Sequence, residues 1–258
     1  NNVHCFLKFC YNGPGIITRL FFMNSLCWSF MNNLSGFDQY FFSRGYRYVI
    51  GVDEAGRGPL FGRVYSAAVI LPKENFHHEW MKDSKKFSSV KKIKEVAEYI
   101  KENAIAWSVT YEDEKAIDKI NILQATFKSM HKSVHNILEN DYEVSCLVVD
   151  GNNFKPYTHF DSSVMRYKSV PHFCVEGGDN KYACIAAASI LAKVGRDTYI
   201  EELCEQHPEL ITRYNIDKNK GYGTKKHIEG IHEHGVTEWH RKSYGICKNA
   251  ETNNLLTT

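Results

Sequence analysis

Along this chain, apolar residues recur with strand spacing in some stretches and helical spacing in others, and the alternation between the two predicts the elements. "RYVIGVD" (47–53) and "VYSAAVIL" (64–71) are rich in β-formers and separated by a Gly/Pro-rich connection, which predicts an antiparallel strand pair. "AIAWSVTY" (104–111) predicts a third strand, after a Lys-rich amphipathic helix near 88–102. Asn121 and Gln124 are spaced as in a capping box, and Leu123, Phe127, Met130, Val134 and Leu138 follow at helical spacing, so a helix is expected over about 122–139. "VSCLVV" (144–149) is apolar throughout and ends on Asp150 and Gly151, the pattern of a central strand covered on both faces. A short strand at 172–175 leads through "EGGDNKY" into an Ala-rich helix over about 181–204. The stretch after Pro208, with the glycines of "KGYGT", reads as helices and loops lying across one end.

Strands first and then strands alternating with helices imply an α/β fold, a mixed sheet of about five strands flanked by helices. Three segments are expected: an extension over 1–45, an α/β domain over 46–206, and a helical C-terminal extension and tail over 207–258. The apolar run at 16–31 is broken by Arg19, Asn24 and Ser25 and lacks the form of a signal peptide. It is read as peripheral, with Met23 and Met31 as candidate starts.

With 43% hydrophobic and 24% charged residues, the 258-residue composition is that of a globular protein and excludes disorder of the whole chain. The net charge of +2 means that any nucleic-acid role rests on local clusters, at 82–94, 218–226 and 240–242, each of which also suits a solvated face. Eight scattered cysteines without a CxxC pair read as reduced thiols in a cytoplasmic protein. No apolar run of membrane-spanning length occurs.

The candidate chemistry lies in carboxylates. Asp53 and Glu54 end the first strand and Asp150 ends the central one, and ligands of open α/β sheets gather outside strand ends. Asp179 stands just before a helix, where a plain N-cap is the commoner role. Adjacent acids repel unless something positive lies between them. Carboxylates without a His or Cys pattern suit Mg²⁺ or Mn²⁺, and two such ions roughly 4 Å apart activate water and stabilise the leaving oxygen of a phosphodiester. "VIGVDE" also looks like a Walker B segment, but the GxxxxGK[ST] loop that would complete it is missing.

The segment "GVDEAGRGPLFGRVYSAAVIL" resembles the opening signature of ribonuclease HII, and the match continues in order through "DSKK" (83–86), "IDKINILQAT" (117–126), "VVDGN" (148–152), "GDNKYACIAAASILAKVGRD" (178–197), "KGYGTKKH" (220–227) and "HRKSY" (240–244). The resemblance implies a ribonuclease H-like fold, two divalent ions, and an active site of Asp53, Glu54, Asp150 and Asp179. It implies that the turn Gly56, Arg57 and Gly58 sets backbone against the sugar bearing the 2′-hydroxyl, the group that distinguishes RNA from DNA. A tight hairpin turn is the alternative, and both can hold. Arg57 and the short N-terminus match ribonuclease HII rather than its sister type HIII.

Tyr222 corresponds to the family tyrosine that stacks on the deoxyribose after the ribonucleotide, which implies cleavage at a single embedded ribonucleotide. Lys85 and Lys86 are placed to hold a backbone phosphate or are simply exposed. Ser189, Lys193 and Arg196 fall at i, i+4 and i+7 on the Ala-rich helix. Lys193 is roughly 20 Å along the axis from Asp179 at about 1.5 Å per residue, so the stripe is assigned to phosphates of the uncut strand, with a solvated face as the alternative. His227, His232 and His234 fit no zinc spacing and are read as surface or second-layer residues. Arg63 stands where the family has proline.

The expected partners are RNA/DNA hybrid and duplex DNA containing ribonucleotides, with no membrane, a monomeric state, and a replication clamp as a candidate partner of the C-terminal tail. The competing possibilities are a catalytically inactive hybrid-binding protein of the same fold and a ribonuclease H that needs several consecutive ribonucleotides.

Overall fold

A computed structural model describes residues 45, 47–81, 84, 87–140, 142–161 and 165–252. The expected N-terminal extension, Lys85 and Lys86, and the end of the tail expected to meet a clamp lie outside the described residues.

The sheet has five strands in the order β3-β2-β1-β4-β7. β1 (Tyr48–Ala55) pairs antiparallel with β2 (Val64–Ile70), which pairs antiparallel with β3 (Ala106–Glu112). On its other side β1 runs parallel to β4 (Val144–Asp150), which runs parallel to the short edge strand β7 (His172–Val175). The mixed sheet read from the sequence is present, with β1 rather than β4 at its centre.

Strand alternation sorts side chains onto two helical layers. Val49, Ala67, Val69, Cys146 and Val148 meet α4 (Ala183–Gln206) and α1 (Val90–Asn103) on one face. Ile50, Val52, Ala68, Ile70, Leu147 and Val149 meet α3 (Ile122–Leu138) on the other. α4 lies directly on β1: a Cβ at Gly51 would sit 2.2 Å from the Cys184 backbone carbon. Only glycine allows that approach.

The helix starts follow local chemistry. Asn121 Oδ1 accepts from the Gln124 amide, as expected for α3, and Ser89 Oγ accepts from the Lys92 amide at the start of α1. Two elements went unread in the sequence: α2 (Glu114–Ile120), capped by Asp113, and the hairpin of β5 (Thr158–Asp161) and β6 (Arg166–Ser169). Asp179 is not a helix cap, because it lies in a 3₁₀ turn, Gly178–Asn180, and the residue before α4 is Tyr182.

The C-terminal stretch forms α5 (Glu209–Tyr214), α6 (Ile216–Asn219), α7 (Lys225–His234) and a closing 3₁₀ turn, Gly245–Asn249. It shares one apolar cluster with Phe61, Tyr65 and the second half of α4. Residues 239–241 return alongside 60–62, with Gly62 N donating to Trp239 O and Arg241 N to Leu60 O at 2.9 and 2.8 Å. Among the described residues no helix is long and apolar enough to cross a membrane, and Cys146, Cys174, Cys184, Cys204 and Cys247 are free thiols.

Candidate active site

Parallel pairing of β1 and β4 puts Val52 opposite Val149, so one step further along each strand Asp53 and Asp150 emerge side by side. By alternation both turn toward the α4 face, and Glu54 turns away from it. Asp53 is only 5% exposed. Its carboxyl is held well above the ordinary carboxylate range, first by burial and then by the charges of Glu54 and Asp150; hydrogen bonds from Ser189 and the Glu54 amide oppose that rise. Burial also raises Glu54, against the pull of the Arg57 guanidinium, which sits 3.3 Å from Glu54 Oε1. Asp150 Oδ1 accepts from the Gly178 amide at 2.7 Å, which brings the 3₁₀ turn bearing Asp179 against the end of β4. Asp179 itself accepts from the Asn180 side chain at 2.9 Å.

Asp53, Glu54 and Asp150 therefore feel one another's charge, and Asp179 stands on the next piece of backbone. Among the described residues no three acidic, His or Cys side chains close into a ready metal cage. Mutual repulsion works against such closure, and Glu54 leans on Arg57 instead. The donors are all carboxylate oxygens, and burial raises the pKa of Asp53 and Glu54, a setting that suits hard divalent cations.

Beside the acids, Gly56 turns with φ +94°. A Cβ there would meet Arg196 Nε at 2.4 Å, so a buried guanidinium underlies the turn. Arg241 supports it as well. Its Nη2 donates to the carbonyls of Gly56 (2.6 Å) and Arg63 (3.2 Å), its Nη1 to that of Arg57 (3.0 Å), and its Nε to that of Gly62 (2.8 Å). The Tyr244 hydroxyl also donates to the Arg57 carbonyl. Across the turn the Tyr222 ring, 48% exposed, lies 3.6 Å from where a Cβ on Gly58 would be. The glycine turn and the tyrosine, far apart in the chain, thus form one surface next to the acids.

The polar stripe expected on α4 is corrected. Ser189 is buried, bonds Asp53 and lies 3.2 Å from Ser84 Oγ, and Arg196 is buried under Gly56 with Nη2 donating to the Lys220 carbonyl at 2.6 Å. Neither reaches solvent to meet a phosphate. The spacing was read correctly as one face of a helix, but α4 is covered on nearly every side, so its polar face meets protein. Lys193 remains partly exposed and pairs with Asp197 at 2.9 Å.

Arg241 and His240 were not singled out in the sequence, His227 was read as a surface or second-layer residue, and all three are buried. The run "HRK" looks like a solvated basic cluster, and what marks its middle residue is the return of the chain beside Leu60. Arg63, at the family's proline position, lies over the Tyr111 and Tyr199 rings at 4.1 and 4.2 Å, so the departure is absorbed by packing.

The family model for ribonuclease HII matches residues 50–247. Ribonuclease HII of Bacteroides thetaiotaomicron is 43% identical over 203 residues, covering 79% of this chain and 92% of that protein. Its counterpart in Parabacteroides distasonis is 44% identical over 196 residues, covering 76% and 89%. The fold matches that of ribonuclease H2 from Pyrococcus horikoshii with a TM-score of 0.60 at 22% identity, covering 78% of this chain and 96% of that one. It also matches a structure of the PCNA:RNase HII complex from Archaeoglobus fulgidus, with a TM-score of 0.59 at 23% identity and the same coverage. The acid-tipped strands and the glycine turn fall inside the matched region, and the chain belongs to the ribonuclease HII family of ribonuclease H enzymes.

Proposed function

We propose that this chain is an endonuclease that hydrolyses the RNA strand of RNA/DNA hybrids and cuts on the 5′ side of single ribonucleotides embedded in duplex DNA, leaving 5′-phosphate and 3′-hydroxyl ends. The observation that carries the proposal is the adjacency of two surfaces. One is a cluster of carboxylates at the ends of β1 and β4, and the other is a backbone turn faced by an exposed tyrosine ring.

Asp53, Glu54, Asp150 and Asp179 would hold two divalent ions, Mg²⁺ or Mn²⁺. Such ions when bound lower the pKa of water and stabilise a leaving oxygen. The chain's own residues do the rest. Ser189 orients the Asp53 carboxylate from beneath. Gly56, Arg57 and Gly58 present backbone close enough to meet a ribose 2′-hydroxyl, and Arg241 holds that backbone still. Tyr222 offers a flat face for the next sugar. Lys85, Lys86 and Lys193 are assigned to backbone phosphates, where they position the duplex without reading sequence.

A duplex with one embedded ribonucleotide, incubated with Mg²⁺ or Mn²⁺, tests this. The expected product is a nick 5′ of the ribonucleotide. Asp53→Asn should bind the duplex and leave it uncut, and undiminished turnover by that variant would refute the carboxylate assignment. Cleavage confined to runs of ribonucleotides would leave a general ribonuclease H instead.

A further inference from the structure

Behind Tyr222 lie two buried imidazoles whose protons are fixed by their neighbours. His227 on α7 and His240 are 0% and 1% exposed, and their Nε2 atoms are 3.1 Å apart. The Thr237 amide, which can only donate, points at His240 Nδ1 from 3.0 Å, and the Thr237 hydroxyl lies 2.8 Å from the same atom. His240 Nδ1 is therefore bare, and the neutral ring carries its proton on Nε2. At the other end the Tyr222 carbonyl, which can only accept, lies 2.9 Å from His227 Nδ1. His227 is therefore protonated at Nδ1 and turns a bare Nε2 toward His240. The hydrogen bonds run one way, from Thr237 through His240 and His227 to the Tyr222 carbonyl. Phe61 and Tyr214 pack edge-on against His240, each at 5.0 Å between ring centroids, and enclose the relay in apolar surface.

The relay ends on the residue whose ring faces Gly58, and it begins beside Arg241, which holds the carbonyls of Gly56 and Arg57. The same return segment also fixes the turn against the tyrosine loop, since Leu60 N donates to Gly221 O at 2.9 Å. We infer that His227 and His240 are positioning residues that act through the Tyr222 carbonyl, setting the tyrosine ring at a fixed height over the glycine turn and so tuning recognition of a ribonucleotide followed by a deoxyribonucleotide. This rests on the assignment of the turn and Tyr222 to those two sugars in the proposed function. Neither imidazole touches substrate.

Geometry also says which replacements preserve the device. Asparagine at 227 keeps an N–H donor where Nδ1 stands. Glutamine carries its amide out to the Nε2 position and leaves the Tyr222 carbonyl with the Thr224 amide alone, without the donor that ties it to α7. The experiment measures kcat, KM and thermal midpoint for full-length His227→Asn, His227→Gln, Tyr222→Ala and the Tyr222→Ala/His227→Gln double variant, on duplex DNA with one embedded ribonucleotide. Tyr222→Ala and His227→Gln are each expected to lower kcat/KM about tenfold, the scale of one lost buried hydrogen bond, with His227→Asn within about threefold of the parent. The double variant should be no worse than Tyr222→Ala alone, because a residue acting through the ring has nothing left to position. An undiminished His227→Gln, an equal fall of both His227 variants together with their midpoints, or a full further loss in the double variant would overturn the inference while the loss in Tyr222→Ala leaves the proposed function standing. Full efficiency in Tyr222→Ala would overturn both.

Discussion

Replacing Arg241 with lysine separates the value of its charge from that of its shape. The guanidinium is fully buried and serves the carbonyls of Gly56, Arg57, Gly62 and Arg63 from three nitrogens, and the described residues offer it no carboxylate within ion-pair distance. A lysine keeps the charge but concentrates its donors on one nitrogen, which reaches about two of those carbonyls. Two buried acceptors losing their partners at about 1–1.5 kcal/mol each gives an expected loss of about 2–3 kcal/mol. For a domain of this size that lowers the thermal midpoint by roughly 5–10 °C.

Arg241→Met adds a sign test. If desolvation of the charge dominated, methionine would be more stable than lysine, as for buried ion pairs replaced by apolar residues. If bare carbonyls dominate, methionine takes the guanidinium donor from all four, leaving Arg57 only the Tyr244 hydroxyl, and is the worse of the two. The expected order of stability is arginine, then lysine, then methionine, read by urea unfolding, and cleavage at a single ribonucleotide should fall in the same order because the turn loosens. A lysine variant within about 0.5 kcal/mol of the parent and equally active would refute the role assigned to Arg241, as would a methionine variant more stable than lysine.

Two further outcomes follow from buried groups. Burial lowers the pKa of His240 to about 3, so the unfolded chain, whose histidine titrates near 6.5, binds the proton first as pH falls. Stability is therefore intact above about pH 6.5 and lost below it down to about pH 3, by about 2 kcal/mol at pH 5, and this component should vanish from urea titrations of His240→Asn. Gly56→Ala combines a φ of +94° with a Cβ 2.4 Å from Arg196 Nε, so a stability loss of about 2–4 kcal/mol and a sharp fall in cleavage are expected, checked by unfolding and single-ribonucleotide assays.

Much of the fold was legible because its signals are local. Apolar runs ending in acids gave β1 and β4, and the spacing of Asn121 and Gln124 gave the start of α3. α2 was obscured by its charged sequence, "EKAIDKI", although Asp113 before it is a cap signal. The hairpin of β5 and β6 has exposed aromatics rather than clean alternation, so its period is weak. At the site, the pairing of Asp53 with Asp150 was readable from strand ends. The burial of Ser189, Arg196 and Arg241 was not, because whether a polar helix face meets water depends on which distant segment lies over it. Here that cover comes from Lys220, from the glycine turn and from the return past Leu60.

That return has a consequence for synthesis. Arg241 reaches back 184 and 185 residues to the turn it secures. A nascent chain leaving the ribosome can complete the sheet, with its acids in register, while the glycine turn still lacks its latch. On the proposed function, ribose-selective cleavage then waits until residue 241 has emerged, and a prematurely terminated product carries the carboxylates without that selectivity.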